Sequence, residues 1–364
     1  MVIVGGGVLG TMHAVMARRR GYSVVHLERE AGARGASVRN FGLIWVSGRR
    51  AGPELALALR ARELWEEIAA SAPGTGFRPA GSLTVAASDA ELSVLAEAAE
   101  LPDAKQRDFE LLGPPGVRAV NPALRGELAG GLYCRADAIV EPRRALPALR
   151  AMLKTGYEWL PGREAVEVAP HGIRDQRGEW HRGDLVVLCT GANLTGVAGP
   201  HLAASAHNLR RVRLQMLQTG PFPEPLTTAV ADGDSLRYYP AYDVPSRTLL
   251  PPQSPVAAAH RAQLLLVQRA DGGLTIGDTH SYDEPFSFDV DEDPYDHLRA
   301  RASALLGCEL PPVRRRWAGV YSEVTGTSEL YHRSAVAPGV VLVTGPGGRG
   351  MTCSPAIAEE TFPR

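Results

Sequence analysis

At 364 residues the chain exceeds what one simple hydrophobic core fills, so two domains are expected. Its 45% hydrophobic and 22% charged residues are those of a globular protein, and a formal net charge of −1 offers no broad basic field to nucleic acid or an anionic membrane. No apolar run approaches the ~20 residues of a spanning helix, and Cys134, Cys189, Cys308 and Cys353 form neither a CxxC pair nor a zinc-ligand spacing with histidine.

The chain opens with an apolar strand, Val2 to Val4, that runs into Gly5, Gly7 and Gly10 in a G-x-G-x-x-G pattern. A helix is expected to about Arg20, then a second apolar strand from Tyr22 to Leu27 that ends on Glu28. Gly5 permits the tight turn, Gly7 lets a pyrophosphate approach the backbone, and Gly10 lets helix and strand pack closely. The helix start at Val8 and Leu9 offers free N–H groups and a positive dipole end to phosphate. Glu28 stands where a carboxylate accepts ribose hydroxyls. Strand, glycines, helix, strand and acid in this order mark a dinucleotide site. The acid argues against NADP and does not separate NAD from FAD.

Residues 30–50 read as a Gly- and Ser-bearing loop, and residues 53–71 have helical periodicity. A strand over 81–88 leads into a second helix capped by Ser88 or Asp89, and a further helix is expected to end near Lys154. Short strands fill 157–192 and close on Thr190-Gly191-Ala192. Between 208 and 280, RRVRLQMLQTG, SLRYYPAY, AQLLLVQRA and GLTIGDTH all read as strands. An acidic loop (283–296) precedes a helix near 295–307. A strand over GVVLVTG meets a second glycine-rich turn, Gly345 to Gly350, and a last helix begins near Ser354. The order implies an α/β chain with a Rossmann-like, discontinuous cofactor domain (1–50, 131–205 and 324–364). The inserted segments (51–130 and 206–323) build an α+β substrate domain on a mostly antiparallel sheet. With a strand starting at Val2, no signal peptide is expected; the unpaired thiols point to the cytoplasm. The abrupt start, and an end at Arg364 within an expected helix, suggest trimmed termini.

These residues resemble the FAD-dependent D-amino-acid oxidase superfamily, whose amine-oxidising members include glycine oxidase and monomeric sarcosine oxidase. The resemblance rests on the glycine triplet with Glu28-Arg29, Gly35-Ala36-Ser37 with Asn40 and Gly42, and Val140-Glu141-Pro142. It continues through Asp184 to Gly191, Gly272 to Gly277, Trp317-Ala318-Gly319 and the closing Gly345 to Pro355. The blocks ASVRNFGLIW and GDTH are most similar to a clade associated with organophosphonate catabolism, whose members act on small aminophosphonates, some of them N-methylated. The resemblance implies a three-layer ββα FAD domain and a small-molecule amine as substrate, with O2 as acceptor.

It also implies roles. Ser37, Arg39, Asn40, Phe41 and Gly42 would pass beneath the pyrophosphate and along the flavin, and Val166 would meet the adenine. Thr190 and Gly191 would line the dinucleotide. Gly347, Gly348, Arg349, Gly350, Met351 and Thr352 would present N–H groups and a helix dipole to the pyrimidine end of the flavin. Relatives that bond the flavin covalently use a Cys or His absent here (Gly319 and Val320 stand at one such place), so FAD is expected to be non-covalent. The usual carboxylate anchors are replaced by Tyr321 and Thr352, and the oxygen-activating Lys by Thr275. Tyr321, Thr352 and His280 are therefore the candidate catalytic residues. Arg49, Arg213, Arg237, Arg316 and Arg349, with Tyr239 and Trp45, are the candidates for substrate binding. Guanidinium groups suit phosphonate oxygens because they can bond two at once. Tyr238 and Tyr239 either line the pocket or pack between sheets. No metal is expected.

Overall fold

The computed structural model describes residues 1–203 and 208–362; the expected boundary at 205/206 and the end at Arg364 lie outside them. Two sheets organise the chain. The first has six strands in the order His332–Ala337, Val340–Thr344, Val186–Leu188, Val2–Val4, Val24–Glu28 and Tyr157–Pro161. All neighbours are parallel except the pair formed by the first two. One face is covered by the opening helix Val8–Arg19, the helices Pro53–Ser71 and Pro142–Met152, and the closing helix Gly350–Glu359, which share one apolar cluster. On the other face lies a three-stranded antiparallel sheet (Ala165–Ala169, Gly172–Asp175, Trp180–Arg182). Its Ala165 and Ile173 pack on Val2, Leu27, Val186 and Leu188. This is the expected ββα layering: strands buried on both faces read as unbroken apolar runs.

The second sheet has eight strands and is antiparallel apart from Ala229–Ala231 beside Ser82–Ala86. Helix Asp293–Leu306 packs on one face. The other face, with Met216, Leu265 and Val267, meets Phe41, Leu43 and Trp45 from the first domain.

Three expectations change. Helix Pro53–Ser71, assigned to the inserted segment, packs on the closing helix and joins the apolar cluster of the first sheet, because Leu57, Ala61, Leu64, Trp65 and Ile68 form one stripe. SLRYYPAY is not a strand: Ser235–Tyr238 is a helical turn and Pro240–Tyr242 a 3₁₀ turn. Leu236, Tyr239 and Tyr242 recur every third residue and are all buried, a period that a strand cannot place on one face. The last helix starts at Gly350 rather than near Ser354 and holds Pro355 in its interior. Pro355 cannot donate to the Met351 carbonyl, and Trp65 Nε1 donates to that oxygen instead at 2.9 Å. At the earlier helix the cap is Ser88, whose Oγ accepts from Glu91 N–H.

Candidate active site

A cavity of about 930 Å³ lies between the two sheets, walled on one side by the ends of the parallel strands (Val4, Glu28, Cys189) and on the other by Leu214, Met216, Leu265 and Asp278. At one end the opening turn is built as expected. Gly5 has φ +103°, and a Cβ there would lie 2.1 Å from the Cys189 carbonyl; a Cβ on Gly10 would lie 1.9 Å from the Gly5 carbonyl. His26 Nε2 donates to that Gly5 carbonyl at 2.9 Å, while Nδ1 meets the Tyr157 hydroxyl at 3.0 Å. A buried carbonyl acceptor fixes the ring tautomer, and burial lowers the imidazole pKa to about 4.

The opening helix has no side-chain cap on its Gly7 N-cap and no acid in its first turn, so its positive end faces the cavity. Ser37 Oγ accepts from Val8 N–H at 2.9 Å. Glu28 accepts from Gly6 N–H at 2.6 Å and Glu30 N–H at 3.0 Å. Each carboxylate oxygen has a further lone pair for a ribose hydroxyl. Thr190 Oγ1 is buried without a partner on the same wall. Leu9, Arg29, Asn40, Phe41 and Gly191 line the cavity too, as does Arg39, which donates to the Ala318 carbonyl at 2.9 Å.

At the far end the closing loop brings Gly347, Gly348, Arg349, Gly350 and Met351 to the wall. Gly345 and Gly347 have φ of +69° and +61°, a region that glycine enters without strain. The closing helix starts here with no acid in its first turn. Across from it stand Trp45, Arg49, Glu54, Tyr238, Tyr239 and Tyr321. Glu54 Oε1 lies 3.8 Å from Arg49 Nη1 and 3.7 Å from Arg349 Nη1, so one carboxylate serves two guanidinium groups. Arg49 is also held by the Trp45 carbonyl at 2.8 Å. Burial raises the phenol pKa values of Tyr239 and Tyr321 well above their usual range.

Several candidates lie elsewhere. Thr352 sits behind the wall, where its hydroxyl accepts from Trp45 N–H (2.9 Å) and Arg49 Nη2 (3.4 Å) and donates to the Leu43 carbonyl (3.3 Å). Those three bonds saturate it, so it positions Arg49 and Trp45 rather than meeting a ligand. His280 is likewise behind the wall, stacked on Tyr238. Arg213 donates to the Asp289 carbonyl and to Gln215, Arg237 to the Pro251 carbonyl, and Arg316 pairs with Glu292. Arginine spacing in a sequence gives no tertiary address, so these three are structural. Val166 is exposed and off the wall; its neighbours Arg163, Glu164 and Ala165 are on it. Gly42 supports the loop instead, with the Val140 carbonyl 2.1 Å from where its Cβ would stand.

Glu54, Asp278, Tyr282, Arg210 and Arg211 also stand on the wall, though nothing in the sequence alone singles them out as a group. Two buried side chains, equally unmarked in the sequence, support the Trp45–Arg49 loop. Arg107, paired with Asp103, donates to the carbonyls of Val46 (3.0 Å), Ser47 (2.9 Å) and Arg49 (2.6 Å). Asp137 accepts from the Val46 and Ser47 N–H groups and from the Ser47 and Ser82 hydroxyls. A signal existed for Asp278 alone, as an acid ending an apolar strand.

An elongated cavity with a glycine-built helix start at each end, a ribose-type carboxylate at one and a polar pocket at the other defines a flavin-dinucleotide oxidoreductase. The chain belongs to the DAO family of FAD-dependent oxidoreductases, whose model matches residues 1–362. It is 29% identical to an opine oxidase component of Rhizobium meliloti over 182 residues, 47% of this chain and 49% of that one. The chain thus spans about half the length of that curated relative. In fold it is similar to glycine oxidase from Geobacillus kaustophilus (TM-score 0.77, 20% identity, 98% of this chain and 91% of that one). It is also similar to L-proline dehydrogenase from P.horikoshii (TM-score 0.78, 18% identity, 98% and 90%). The cofactor is FAD, and the cavity fits it: a glycine cradle, a partnerless Thr190 hydroxyl and two helix starts with no acid in the first turn. No helix among the described residues is long and apolar enough to cross a membrane.

Proposed function

We propose that this protein oxidises the amine of a small anionic substrate to an imine that hydrolyses to a carbonyl compound, with O2 as final acceptor and H2O2 as its product. The preferred substrate class is an aminophosphonate, primary or N-methylated. The observation that carries this reading is the trio Arg49, Arg349 and Glu54. Two guanidinium groups and one carboxylate leave one positive charge over at the closing-loop end, in a largely buried place. Such a charge calls for an anionic ligand group, and guanidinium forks match phosphonate oxygens. The resemblance of ASVRNFGLIW and GDTH to the organophosphonate-associated clade supports the same class.

When bound, FAD supplies a two-electron acceptor. Gly5, Gly7, Val8, Leu9, Gly10 and Glu28 would hold its adenosine and pyrophosphate, and Gly347 to Met351 its ring end. Non-covalent binding is supported by Gly319 and Val320 on the wall, which offer no nucleophile. Arg49 and Arg349 would fix the substrate's anionic end, and Trp45, Tyr239 and Tyr321 would exclude water around its carbon. Orientation of this kind supplies a large part of a rate enhancement. The same guanidinium pair also suits a carboxylate. A second reading is thus an amino-acid oxidase of glycine, sarcosine or proline type, or an amine dehydrogenase with a non-oxygen acceptor.

The test is anaerobic bleaching of the bound flavin by a panel of aminophosphonates and amino acids, followed by peroxide measurement in air. Bleaching by aminophosphonates with peroxide release is expected. Bleaching by amino acids alone would leave the second reading, and bleaching without peroxide the dehydrogenase. Yellow protein whose flavin passes into an acid supernatant is the expected sign of non-covalent FAD.

A further inference from the structure

Asp278 follows the strand Gly273–Gly277 and lies on the cavity wall. It is 8% exposed, and its Oδ1 has no hydrogen-bond partner. Among the described residues its one ion-pair contact is His280 Nε2, 3.7 Å from Oδ2. That contact supplies no cation. His280 Nδ1 lies 3.1 Å from the Arg261 carbonyl, which can only accept, so this nitrogen carries the ring proton and Nε2 presents a lone pair. Burial lowers the His280 pKa to about 4 and pushes the Asp278 carboxyl well above the usual range. The Thr279 backbone N–H bonds to this carboxyl and still leaves Oδ1 unpartnered; a buried carboxylate oxygen without a partner is costly, and nothing in the cofactor clamp uses this one.

Its surroundings are aromatic. The Tyr238 ring stacks on His280 with centroids 4.4 Å apart, Tyr239 meets Tyr238 edge to face at 5.0 Å, and Trp45 lies 5.7 Å beyond Tyr239. The hydroxyls of Tyr238 and Tyr321 lie 3.8 and 3.9 Å from where a Cβ on Gly348 would stand, so the cluster overhangs the closing loop. Asp278 acts electrostatically on Tyr238, Tyr239 and Tyr321 alike. Ring faces attract cations, and methyl groups on an ammonium spread its charge over such faces. Tyr239 is also within electrostatic reach of Arg49. A ligand spanning this ring would meet positive charge at one end and a carboxylate at the other.

We infer that Asp278, with the rings of Tyr238, Tyr239 and Tyr321, is the subsite that receives the substrate's ammonium group. The substrate arrives as a zwitterion with its anion toward Arg49 and Arg349. The ammonium pairs with Asp278 in its ionised form; one N–H bond then breaks and an O–H bond forms on the carboxylate, leaving a neutral amine and the neutral acid that burial favours. The inference rests on the amine reading above and adds which group discharges the ammonium and which rings would face a methyl group on its nitrogen.

The test is calorimetric titration of the FAD-loaded protein with choline and with 3,3-dimethylbutan-1-ol, which has the same shape and no charge. The wild type is expected to bind choline at least tenfold more tightly. Asp278→Asn, with its flavin spectrum intact, should lose at least tenfold for choline and stay within twofold for the alcohol. It should also slow anaerobic bleaching by an amine at least tenfold. Equal affinity of the wild type for the two probes, including failure to bind either, would overturn the inference; so would unchanged choline binding in Asp278→Asn. If that variant does not fold, the wild-type comparison decides. A preference for choline without bleaching by any amine would sink the amine-oxidation reading and leave the cation subsite standing. Bleaching without the preference would do the reverse.

Discussion

Arg49, Arg349 and Glu54 set the charge that a ligand meets, and the two arginines are not equivalent. Arg49 is 6% exposed and braced by the Trp45 carbonyl and Thr352, whereas Arg349 rides on the closing loop with its Nε unpartnered and one bond to the Leu330 carbonyl. Arg349→Ala should therefore leave the fold intact and remove one charge-assisted anchor. Such bonds contribute about 1.5–3 kcal/mol, so KM for an anionic amine should rise roughly 10- to 100-fold with a smaller change in kcat. Glu54→Gln removes the competing carboxylate and should lower KM for the same substrate. Steady-state kinetics on both variants check this; an unchanged KM in Arg349→Ala would take it out of the anchor. Both arginines were legible as candidates because guanidinium chemistry suits an oxyanion. Their selection from five, and the third partner Glu54, needed the fold, since a buried carboxylate shows itself only through the groups it meets.

Among the elements, the two glycine-led helix starts carry different loads. A Cβ on Gly10 meets the Gly5 backbone at 1.9 Å, which cannot yield without parting helix from strand, whereas a Cβ on Gly7 meets only the Ser37 hydroxyl at 3.1 Å. Gly10→Ala should cost about 3 kcal/mol or more, as severe overpacking does. Gly7→Ala should keep most of its thermal stability and lose FAD affinity instead. Melting curves with and without added FAD separate the two outcomes. The closing helix depends on a partner 286 positions away in the chain: Trp65 Nε1 satisfies the Met351 carbonyl that Pro355 leaves free. Trp65→Phe should keep the packing, leave that oxygen unpaired and destabilise the protein by about 1–3 kcal/mol, read as a lowered denaturant midpoint. The opening unit could be read from sequence because strand, glycines, helix and acid act within 28 residues. The start of the closing helix could not, because Pro signals a first turn locally and its compensation is tertiary. SLRYYPAY failed similarly: tyrosine favours strands, yet the buried face repeats every third residue.

For the molecule as a whole, buried neutral histidines tie the layers together. His13 on the opening helix contacts the Leu9 carbonyl at 2.8 Å and the Thr361 hydroxyl at 2.9 Å; His26 joins the opening turn to Tyr157 on the neighbouring strand. Burial holds both, and His280, at about pH 4, against about 6.5 in an unfolded chain. Between those values the unfolded state binds more protons than the folded one. Their contribution is therefore complete above pH 6.5 and shrinks as pH falls toward 4. Asp232, raised to about 6 by burial, has the opposite sign: its contribution is present in acid and lost as pH rises through 6. The two effects flatten the wild-type profile, so a variant is needed to isolate one group. His26→Gln retains a donor for the Gly5 carbonyl and an acceptor for Tyr157 but cannot titrate. Wild-type stability should fall further than that of the variant between pH 6.5 and 5, by about 1.6 kcal/mol, since the full 1.36 kcal/mol per unit is reached only below the unfolded-state value. Urea unfolding at the two pH values measures the gap. Equal gaps in the two proteins would mean that His26 takes up its proton in the folded state as readily as in the unfolded one, and that the opening turn is not the acid-sensitive joint of the cofactor clamp.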